Sequence, residues 1–422
     1  MLLNAFKKIV FNKEIYWTIT QQVVLLATGL ILLKLLSTLL SVKDYGYYSL
    51  VTSILALILV FPFGVFLQGV GRYISVYQNK KKYKEFYSTI LIFFTLLILF
   101  ISLFAFILKS VINITDTWNS IYSYIVFCAI SEVLKGLFSA INNANRQRKN
   151  LAISAITESI LKLVLIYSSY LYNQVTLTNV LIALTTGNLF AVIIMGYKNK
   201  NDLQLQYLNT KEAKIYLSRI WFFSYPLLIW AIFTWLRDMS NRWYLDYFLE
   251  KEQVAYFTMA GSISLIVPTA IYTIIGSFFV PILYQKVNFE KGYVKKFLII
   301  LLPSTFLFFI LCFVIILILK SEIILVVANS NYLQVAWMLP WMFLIYSVYT
   351  ISMMATYEIF AHKRTKILIV SSIIPGLLSL ICGYFLIMYY GLAGALYNYA
   401  LTYLSYSLLT FYVVYKYWRT NV

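Results

Sequence analysis

The stretch KDYGYYS, Lys43 to Ser49, is a short turn between two long apolar runs, and EQVAYFT, Glu252 to Thr258, occupies the same place in the second half of the chain. Four consecutive positions correspond between the two stretches: Gly46 with Ala255, Tyr47 with Tyr256, Tyr48 with Phe257 and Ser49 with Thr258. The offset between them is close to half of the 422 residues. This correspondence predicts that the chain is built from a duplicated unit.

Twelve apolar runs extend outward from these two turns, each close to the ~20 residues that a helix needs to cross the hydrocarbon core. They lie near 16–40, 47–70, 87–109, 120–143, 151–172, 177–197, 219–243, 254–284, 296–319, 334–358, 366–389 and 391–415. Six precede the long polar gap 198–218 and six follow it. Since an even-numbered unit repeats in the same orientation, its copies should be related by an axis along the membrane normal. We therefore predict an all-α integral membrane protein with two six-helix lobes, 1–210 and 211–422, related by pseudo-two-fold symmetry.

Lys and Arg concentrate in the two tails and in every second gap between the apolar runs. They are Lys7, Lys8 and Lys13; Arg72, Lys80, Lys81, Lys82 and Lys84; Arg146, Arg148 and Lys149; Lys198, Lys200, Lys211, Lys214 and Arg219; Lys286, Lys291, Lys295 and Lys296; Lys363, Arg364 and Lys366; Lys416 and Arg419. Cytoplasmic loops carry such an excess. Both termini are therefore predicted to be cytoplasmic, in a multi-pass protein of the plasma (inner) membrane.

Composition excludes several classes of function. Hydrophobic residues make up 62% and charged residues 12% of the chain, against about 45–50% and about 25% in soluble domains. The net charge of +19 is distributed over short loops and is explained by membrane orientation, so nucleic acid is not expected as a partner. Cys128, Cys312 and Cys382 lie inside apolar runs and His362 stands alone, so no metal site is expected. No Walker A sequence is present, and no catalytic residues are predicted.

Several charged residues lie inside the predicted spans, where a charge costs at least a few kcal/mol near the centre on insertion scales. They are Lys34 in the first span; Glu132 and Lys135 in the fourth; Glu158 and Lys162 in the fifth; Arg237, Asp238 and Arg242 in the seventh; and Glu358 in the tenth. Such residues usually face a cavity or a partner side chain. They are the candidate functional residues.

The charges of the fourth and fifth spans form helical pairs. Glu132 and Lys135 are three residues apart and Glu158 and Lys162 four apart, spacings that place both members on one helical face. One interpretation is that the pairs neutralise themselves and hold the two spans together. The other is that Lys135 and Lys162 contact an anionic substrate while Glu132 and Glu158 take part in ion coupling. Both interpretations stay open.

Three further cations are candidates for binding a phosphate. Lys34 has no acidic neighbour on its own span, and it corresponds closely to Arg242 in the repeat, so the two would line a central cavity from both lobes. Arg237 is a third candidate. Asp238 and Asp246 could instead pair with the two arginines. The guanidinium fork can bind two phosphate oxygens, and Lys supplies a point charge.

Two further acidic residues, which belong to neither of the helical pairs above, are candidates for ion coupling. Asp238 and Glu358 could bind Na⁺ or exchange a proton, since desolvation raises a carboxyl pKa. Pairing of Asp238 with Arg237 or Lys34 is the alternative, and Glu358 could reach the interface. No other cofactor is expected.

Two segments resemble a known family. The family is that of the O-antigen or capsule flippases of Wzx type, within the MOP flippase superfamily. Its acidic-x-G-x-Y-S turn is similar to LSVKDYGYYSLVTSI, Leu40 to Ile54. Its Y-G-x-x-G-A junction is similar to GYFLIMYYGLAGALYNYAL, Gly383 to Leu401. The twelve-span layout resembles the family over the whole chain, although Ala255 stands where the family more often keeps Gly.

The resemblance implies a flippase that moves undecaprenyl-diphosphate-linked oligosaccharide from the cytoplasmic to the outer leaflet by alternating access, coupled to an ion gradient. It also implies a cationic cavity, which Lys34 and Arg242 would fit, and a role in O-antigen, lipopolysaccharide or capsule biosynthesis beside a polysaccharide polymerase.

Three other functions compete with this one. A multidrug exporter of the same superfamily would need an acidic, aromatic cavity, whereas the charges within the spans are slightly cationic. A membrane polymerase or ligase would need a large outer loop, and the longest outer gap, 320–333, is short. An uncoupled lipid scramblase would have the same sequence features. We therefore expect a transporter and not an enzyme.

Overall fold

The computed structural model describes residues 13–79, 82–111, 116–172, 175–202, 210–286, 292–362 and 364–420, and every structural statement below refers to these. The α-helices are α1 (Lys13–Leu39), α2 (Val42–Ile58), α3 (Val65–Asn79), α4 (Tyr83–Val111), α5 (Asp116–Ala144), α6 (Arg148–Leu171), α7 (Leu177–Lys198), α8 (Thr210–Phe248), α9 (Lys251–Lys286), α10 (Tyr293–Ile318), α11 (Lys320–Val327), α12 (Met338–Ala355), α13 (Tyr357–Ala361) and α14 (Ile369–Thr420). A π-helical segment, Leu59–Gly64, joins α2 to α3.

Eleven helical segments of the described residues are long and apolar enough to cross a membrane. The last of them, Lys366–Arg419, contains two spans, because Gly391 adopts a positive φ of 56° that interrupts the helix. Asn398 Nδ2 donates to the carbonyl of Ser379 at 3.3 Å, whereas a straight helix would separate residues at that spacing by ~28 Å. The chain therefore turns back at Gly391. With this turn counted, the described residues contain twelve helices long and apolar enough to cross a membrane, in agreement with the predicted layout.

The first of the two related turns begins α2 with an N-cap, Ser41. Ser41 Oγ accepts a hydrogen bond from the backbone N–H of Asp44 at 3.0 Å and donates to Asp44 Oδ2 at 2.7 Å. This reciprocal arrangement satisfies a backbone donor that the start of a helix leaves without a partner. The sequence Ser-x-x-Asp thus fixes where the second span begins.

The two related outer turns meet in space. Ser49 and Thr258 share a hydroxyl–hydroxyl hydrogen bond of 2.5 Å across a separation of 209 residues. Gly46 lies against the start of α9, where an added Cβ would stand 2.1 Å from the carbonyl oxygen of Lys251. Only a residue without a side chain fits there. The turns that the sequence relates by duplication are therefore packed against each other.

The chain divides into two compact units. Unit 1 comprises Met1–Leu32 and Val51–Ala231, and unit 2 comprises Leu33–Leu50 and Ile232–Val422. The units group residues by contact, whereas the predicted lobes 1–210 and 211–422 are the two halves of the sequence. The two divisions differ because α1, α2 and α8 each contribute residues to both units. The predicted boundary concerns the duplication and stays a prediction.

The core of unit 1 is formed by aromatic and aliphatic side chains from α3, α4, α5 and α8. Tyr77 stacks on Phe86 with ring centroids 4.7 Å apart and meets Tyr216 edge-on at 4.6 Å. Val133 and Leu137 of α5 are buried in the same cluster. At the polar end of these helices Lys82 donates to Glu212 at 2.8 Å, and this hydrogen bond raises the pKa of the Lys82 ammonium.

The core of unit 2 is centred on α12. Phe343 and Ile351 of this helix pack with Phe309 of α10, and Met354 packs with Leu298 on the same pair of helices. In contrast, α4 and α10 leave large apolar side chains exposed on their other sides, among them Phe100, Phe106, Ile300, Leu307 and Ile318. Exposed apolar surface of this extent is typical of helices that face lipid.

Candidate functional sites within the spans

The charged residues of α5 and α6 form one network in unit 1. The ammonium of Lys135 lies 3.0 Å from a carboxylate oxygen of Glu132 and 3.0 Å from Glu158 Oε1. Lys162 also contacts Glu158 Oε1, at 2.5 Å. Two cations and two carboxylates therefore neutralise one another. The four residues that the sequence assigns to two helical pairs are brought together across two helices.

Asn188 of α7 completes this network. Its side-chain oxygen accepts a hydrogen bond from Lys135 at 2.8 Å, and its Nδ2 donates to Glu132 at 2.9 Å and to Ser131 at 3.2 Å. The neighbouring Gly187 makes room for Lys162, since a Cβ there would stand 2.7 Å from the Lys162 Cγ. The polar bridge thus joins three helices.

The geometry of this network accounts for its charges without a ligand. In a low-dielectric interior, the attraction between paired charges and their hydrogen bonds offset the cost of removing them from water. The interpretation that the pairs hold spans together needs no further contact. Substrate binding by Lys135 and Lys162, and ion coupling by Glu132 and Glu158, remain predictions.

Arg237 of α8 lies in a cage of tyrosine rings in unit 2. Its guanidinium carbon is 4.9 Å from the ring centroid of Tyr349, 4.8 Å from that of Tyr403 and 4.9 Å from that of Tyr406. The residue is only 2% exposed, and its Nη2 donates to the Tyr349 hydroxyl at 3.2 Å. Three aromatic faces thus surround a fully buried cation, an arrangement that stabilises charge where water is absent.

Asp238 is the acidic partner of this cage. Its Oδ1 accepts hydrogen bonds from Arg237 Nε at 2.7 Å and from the Tyr403 hydroxyl at 2.6 Å. The side chain is 28% exposed. The structure therefore shows the pairing of Asp238 with Arg237 that the sequence offered as an alternative to ion coupling. The carboxylate of Asp238 is nevertheless partly exposed.

The helix that carries Arg237 is anchored by a second polar cluster. Asn398 Nδ2 donates to Asn241 Oδ1 at 2.6 Å, and Asn241 Nδ2 donates to the Ala395 carbonyl at 3.2 Å. Ser240 and Ser379 share a hydrogen bond of 2.7 Å. These buried contacts tie α8 to both arms of α14, so they fix the position of the arginine cage.

Arg242 lies one turn further along α8, at the contact between the two outer turns. Its Nη1 donates to the backbone carbonyl of Ser49 at 3.0 Å. Asp246, which the sequence offers as a pairing partner for Arg242, instead forms an ion pair with Lys251. The cation is therefore adjacent to the Ser49–Thr258 contact.

Lys34 of α1 is bound to main-chain oxygens. Its ammonium donates to the carbonyls of Leu325 at 2.7 Å and Ala328 at 2.6 Å, at the C-terminal end of the short helix α11. Cations are stabilised at this end of a helix by its free carbonyls and its dipole. Lys34 and Arg242 both belong to unit 2, and their expected placement in opposite lobes of the duplication stays a prediction. A substrate-binding role for Lys34 stays a prediction.

Glu358 of α13 is buried at the predicted cytoplasmic end of unit 2. It is 4% exposed, and its Oε1 lies 3.6 Å from His362 Nδ1. His362 occupies the i+4 position, a neighbour that sequence reasoning missed although the spacing was visible. Among the described residues, Oε2 of Glu358 is buried without a hydrogen-bond partner. Its role in ion coupling stays a prediction.

The tyrosine cage was also missed from the sequence. Tyr399, Tyr403 and Tyr406 stand at positions i, i+4 and i+7, and Tyr346 and Tyr349 at i and i+3, so each set lies on one helical face. This spacing was the available signal.

Within the described part of the chain, no group of three or more His, Cys, Asp or Glu residues is arranged to hold a metal ion.

Solved structures resemble this fold closely. The lipid II flippase MurJ in an inward closed conformation superposes with a TM-score of 0.73 at 16% identity, covering 94% of this chain and 87% of that one. An inward-facing MATE-family multidrug resistance transporter of the MOP superfamily gives a TM-score of 0.74 at 13% identity, with 94% of both chains covered. A point mutant of the Vibrio cholerae MATE transporter VcmN gives 0.69 at 13% identity, with 99% and 98% covered.

The chain has the fold that these three structures share. No protein-family model matches the sequence, and no curated protein matches it significantly. At these low identities the similarity establishes the architecture, and it confirms the predicted class of fold. The three proteins are described as a lipid II flippase and as MATE transporters. The finer resemblance to Wzx-type flippases stays a prediction.

Proposed function

We propose that the protein is a flippase for a lipid-linked oligosaccharide whose head carries a diphosphate, with undecaprenyl diphosphate as the carrier. The fold is shared with a protein described as a lipid II flippase. The first outer turn and the Gly391 junction are similar to those of the Wzx-type family. Both similarities support a lipid-linked substrate.

The observation that carries this proposal is the surplus of cations in unit 2. Of the charges singled out within the spans there, three are cations, Lys34, Arg237 and Arg242, and two are carboxylates, Glu358 and Asp238, which neutralises Arg237. In unit 1, by contrast, the charges of the network cancel. Because fixed charges act strongly where water is excluded, the surplus favours an anionic group over a cationic one.

The chemistry of the substrate fits this distribution of charge. The saccharide head cannot enter hydrocarbon without a polar path, whereas a polyprenyl tail can remain in lipid throughout. In the proposed mechanism Arg242 replaces water around the diphosphate through its planar fork, and Lys34 adds a point charge. Alternating access then moves the head between leaflets without any hydrolysis.

Ion coupling is the part of the proposal that involves Asp238. Its carboxylate is partly exposed and holds Arg237 through Oδ1. Binding of Na⁺ or a proton there would weaken the contact with the guanidinium and would loosen the cage that α12 and α14 form around it. Glu358, with one carboxylate oxygen lacking a partner among the described residues, is the second candidate.

Export of organic cations is the second candidate function, since two of the similar structures are MATE transporters. An acidic residue beside several aromatic rings suits a cationic drug, and Asp238 with its tyrosines has this chemistry. However, Arg237 already fills the aromatic cage. A drug cation would have to displace it, which makes this function the weaker of the two.

We propose a plasma membrane location with both termini cytoplasmic, following the distribution of Lys and Arg. A polysaccharide polymerase is the proposed partner, because a lipid-linked repeat unit delivered to the outer leaflet must be consumed there.

Reconstitution with variants tests the proposed role of the cations. Purified protein in vesicles should move a fluorescent diphosphate-linked lipid saccharide, and Arg242→Gln should lower the rate at least tenfold while Arg242→Lys retains part of it. Lys366→Gln is the matched control and should behave as the wild type, since Lys366 is exposed on the short 3-10 helix Thr365–Leu368. Equal rates for Arg242→Gln and Lys366→Gln, with both proteins folded, would remove Arg242 from the mechanism.

A further inference from the structure

Two pockets lie at the predicted cytoplasmic ends of the helices, one in each unit. The pocket of unit 1 has a volume of about 270 Å³ and is lined by Glu14, Trp17, Arg146, Gln147, Arg148, Lys149, Asn150 and Lys198. The pocket of unit 2 has a volume of about 370 Å³ and is lined by Arg364, Ile367, Val370, Ser371, Leu409, Tyr412, Val413, Lys416 and Tyr417. Neither pocket includes a residue of the sites described above.

The pockets occupy equivalent places in the duplicated unit. Each lies between the loop that joins the fourth and fifth spans of its half and the end of the sixth span. Each takes an arginine from that loop and a lysine from that end, and Arg146 precedes Lys198 by the same number of residues as Arg364 precedes Lys416. The same pair of cations is thus present in both copies of the repeat.

The charge of both pockets is complementary to an anion. The first has four cations and one carboxylate, Glu14, which lies 3.9 Å from Arg146. The second has Arg364 and Lys416 and no acidic residue in its lining. Phosphate is the anion that such Lys and Arg clusters at the membrane interface recognise.

The surroundings of the pockets are apolar on the side toward the membrane. Beside the first, α1 exposes Tyr16, Ile19 and Val23 on one helical face. In the second, Ile367 and Tyr412 line the pocket and are themselves exposed. A free phosphate would leave this apolar surface uncovered, whereas the acyl chains of a lipid would cover it.

We propose that each pocket binds the headgroup of an anionic phospholipid, with the phosphate held by the arginine and lysine pair and the acyl chains lying along the exposed apolar faces. The two lipids are separate from the transported substrate. They fasten the loop between the fourth and fifth spans of each half to the membrane surface.

Native mass spectrometry of the full chain in detergent tests this site, with phosphatidylglycerol compared against phosphatidylcholine of identical chains. The wild type should bind the anionic lipid preferentially. Arg146→Gln with Lys198→Gln, and separately Arg364→Gln with Lys416→Gln, should each weaken this binding roughly tenfold or more, given the contribution of each cation near a membrane surface. Arg146→Lys and Arg364→Lys, which keep the charge, should retain binding.

The matched control is Lys84→Gln with Lys366→Gln, which removes two exposed cations outside both pockets. An equal loss of lipid in this control and in the pocket variants would overturn the proposal, because the effect would then be one of general charge. Inorganic phosphate that displaces the lipid at similar concentration would also overturn it, since the site would then recognise a soluble anion. Flipping of the diphosphate lipid is a separate readout, so failure here leaves the proposed function untouched.

Discussion

Ser49 and Thr258 share a hydrogen bond of 2.5 Å although 209 residues separate them, and they occupy the same position in the two related turns. In a symmetric assembly, corresponding residues contact each other only near the symmetry axis. If the chain is duplicated as predicted, the pseudo-two-fold axis should pass close to this pair. Two further contacts lie beside this pair. Gly46 packs against the carbonyl of Lys251, and Arg242 donates a hydrogen bond to the carbonyl of Ser49.

The Ser49–Thr258 contact should be measurable as a coupling energy. In a double-mutant cycle with Ser49→Ala and Thr258→Val, we expect an interaction energy of about 1 kcal/mol, as for other buried hydrogen bonds. Thermal unfolding in detergent gives the four stabilities. Strictly additive effects of the two substitutions would show that the hydroxyls are not coupled.

The close packing at Gly46 predicts a steric effect from the smallest side chain. Gly46→Ala would place a Cβ 2.1 Å from the Lys251 carbonyl, so we expect a loss of about 1–3 kcal/mol, typical of overpacking. Gly71→Ala is the control, because nothing lies within 4 Å of its added Cβ. A melting temperature for Gly46→Ala equal to that of the control would contradict the observed contact between the turns.

The charge balance of the network in unit 1 predicts that removing one cation and one carboxylate together costs less stability than removing the cation alone. Lys162→Met leaves the network with one excess carboxylate, at a cost of about 3 kcal/mol for a buried charge without its partner. Adding Glu158→Gln restores neutrality and should recover part of the stability. If the double variant unfolds at a lower temperature than Lys162→Met, the network is not held together by charge balance.

The tyrosine cage predicts that lysine cannot replace Arg237. Lysine keeps the charge but cannot stack a planar group on three rings while donating to Asp238, so Arg237→Lys should lose about 2 kcal/mol of stability. Arg72→Lys is the control, since the guanidinium of Arg72 lies over the single ring of Phe223 at 4.6 Å. Equal losses in the two variants would mean that the cage adds nothing beyond one ring contact.

The features that sequence reasoning could predict are those set by local pattern. The spans follow from apolar length, the turn at Gly391 from the gap between the last two runs, and the Glu132–Lys135 and Glu158–Lys162 pairs from helical spacing. The joining of these pairs through Asn188 depends on how three helices pack, which no local pattern contains.

The remaining contacts depend on distant segments. Lys34 caps α11, a helix almost 300 residues later in the chain, and its partners are carbonyls, which carry no sequence signal. Sequence spacing could have indicated the faces formed by Tyr399, Tyr403 and Tyr406, but it could not show that they surround Arg237. The structure was therefore needed to show which distant residues contact Lys34 and Arg237.

The most direct test of the proposed function compares two substrates with the wild-type protein in vesicles. One set of vesicles is used to measure movement of a diphosphate-linked lipid saccharide between leaflets. A second set is used to measure export of a cationic dye under an imposed Na⁺ or proton gradient. We expect the lipid to move and the dye to remain. Export of the dye without movement of the lipid would contradict the flippase function and would assign the cations of unit 2 to a structural role.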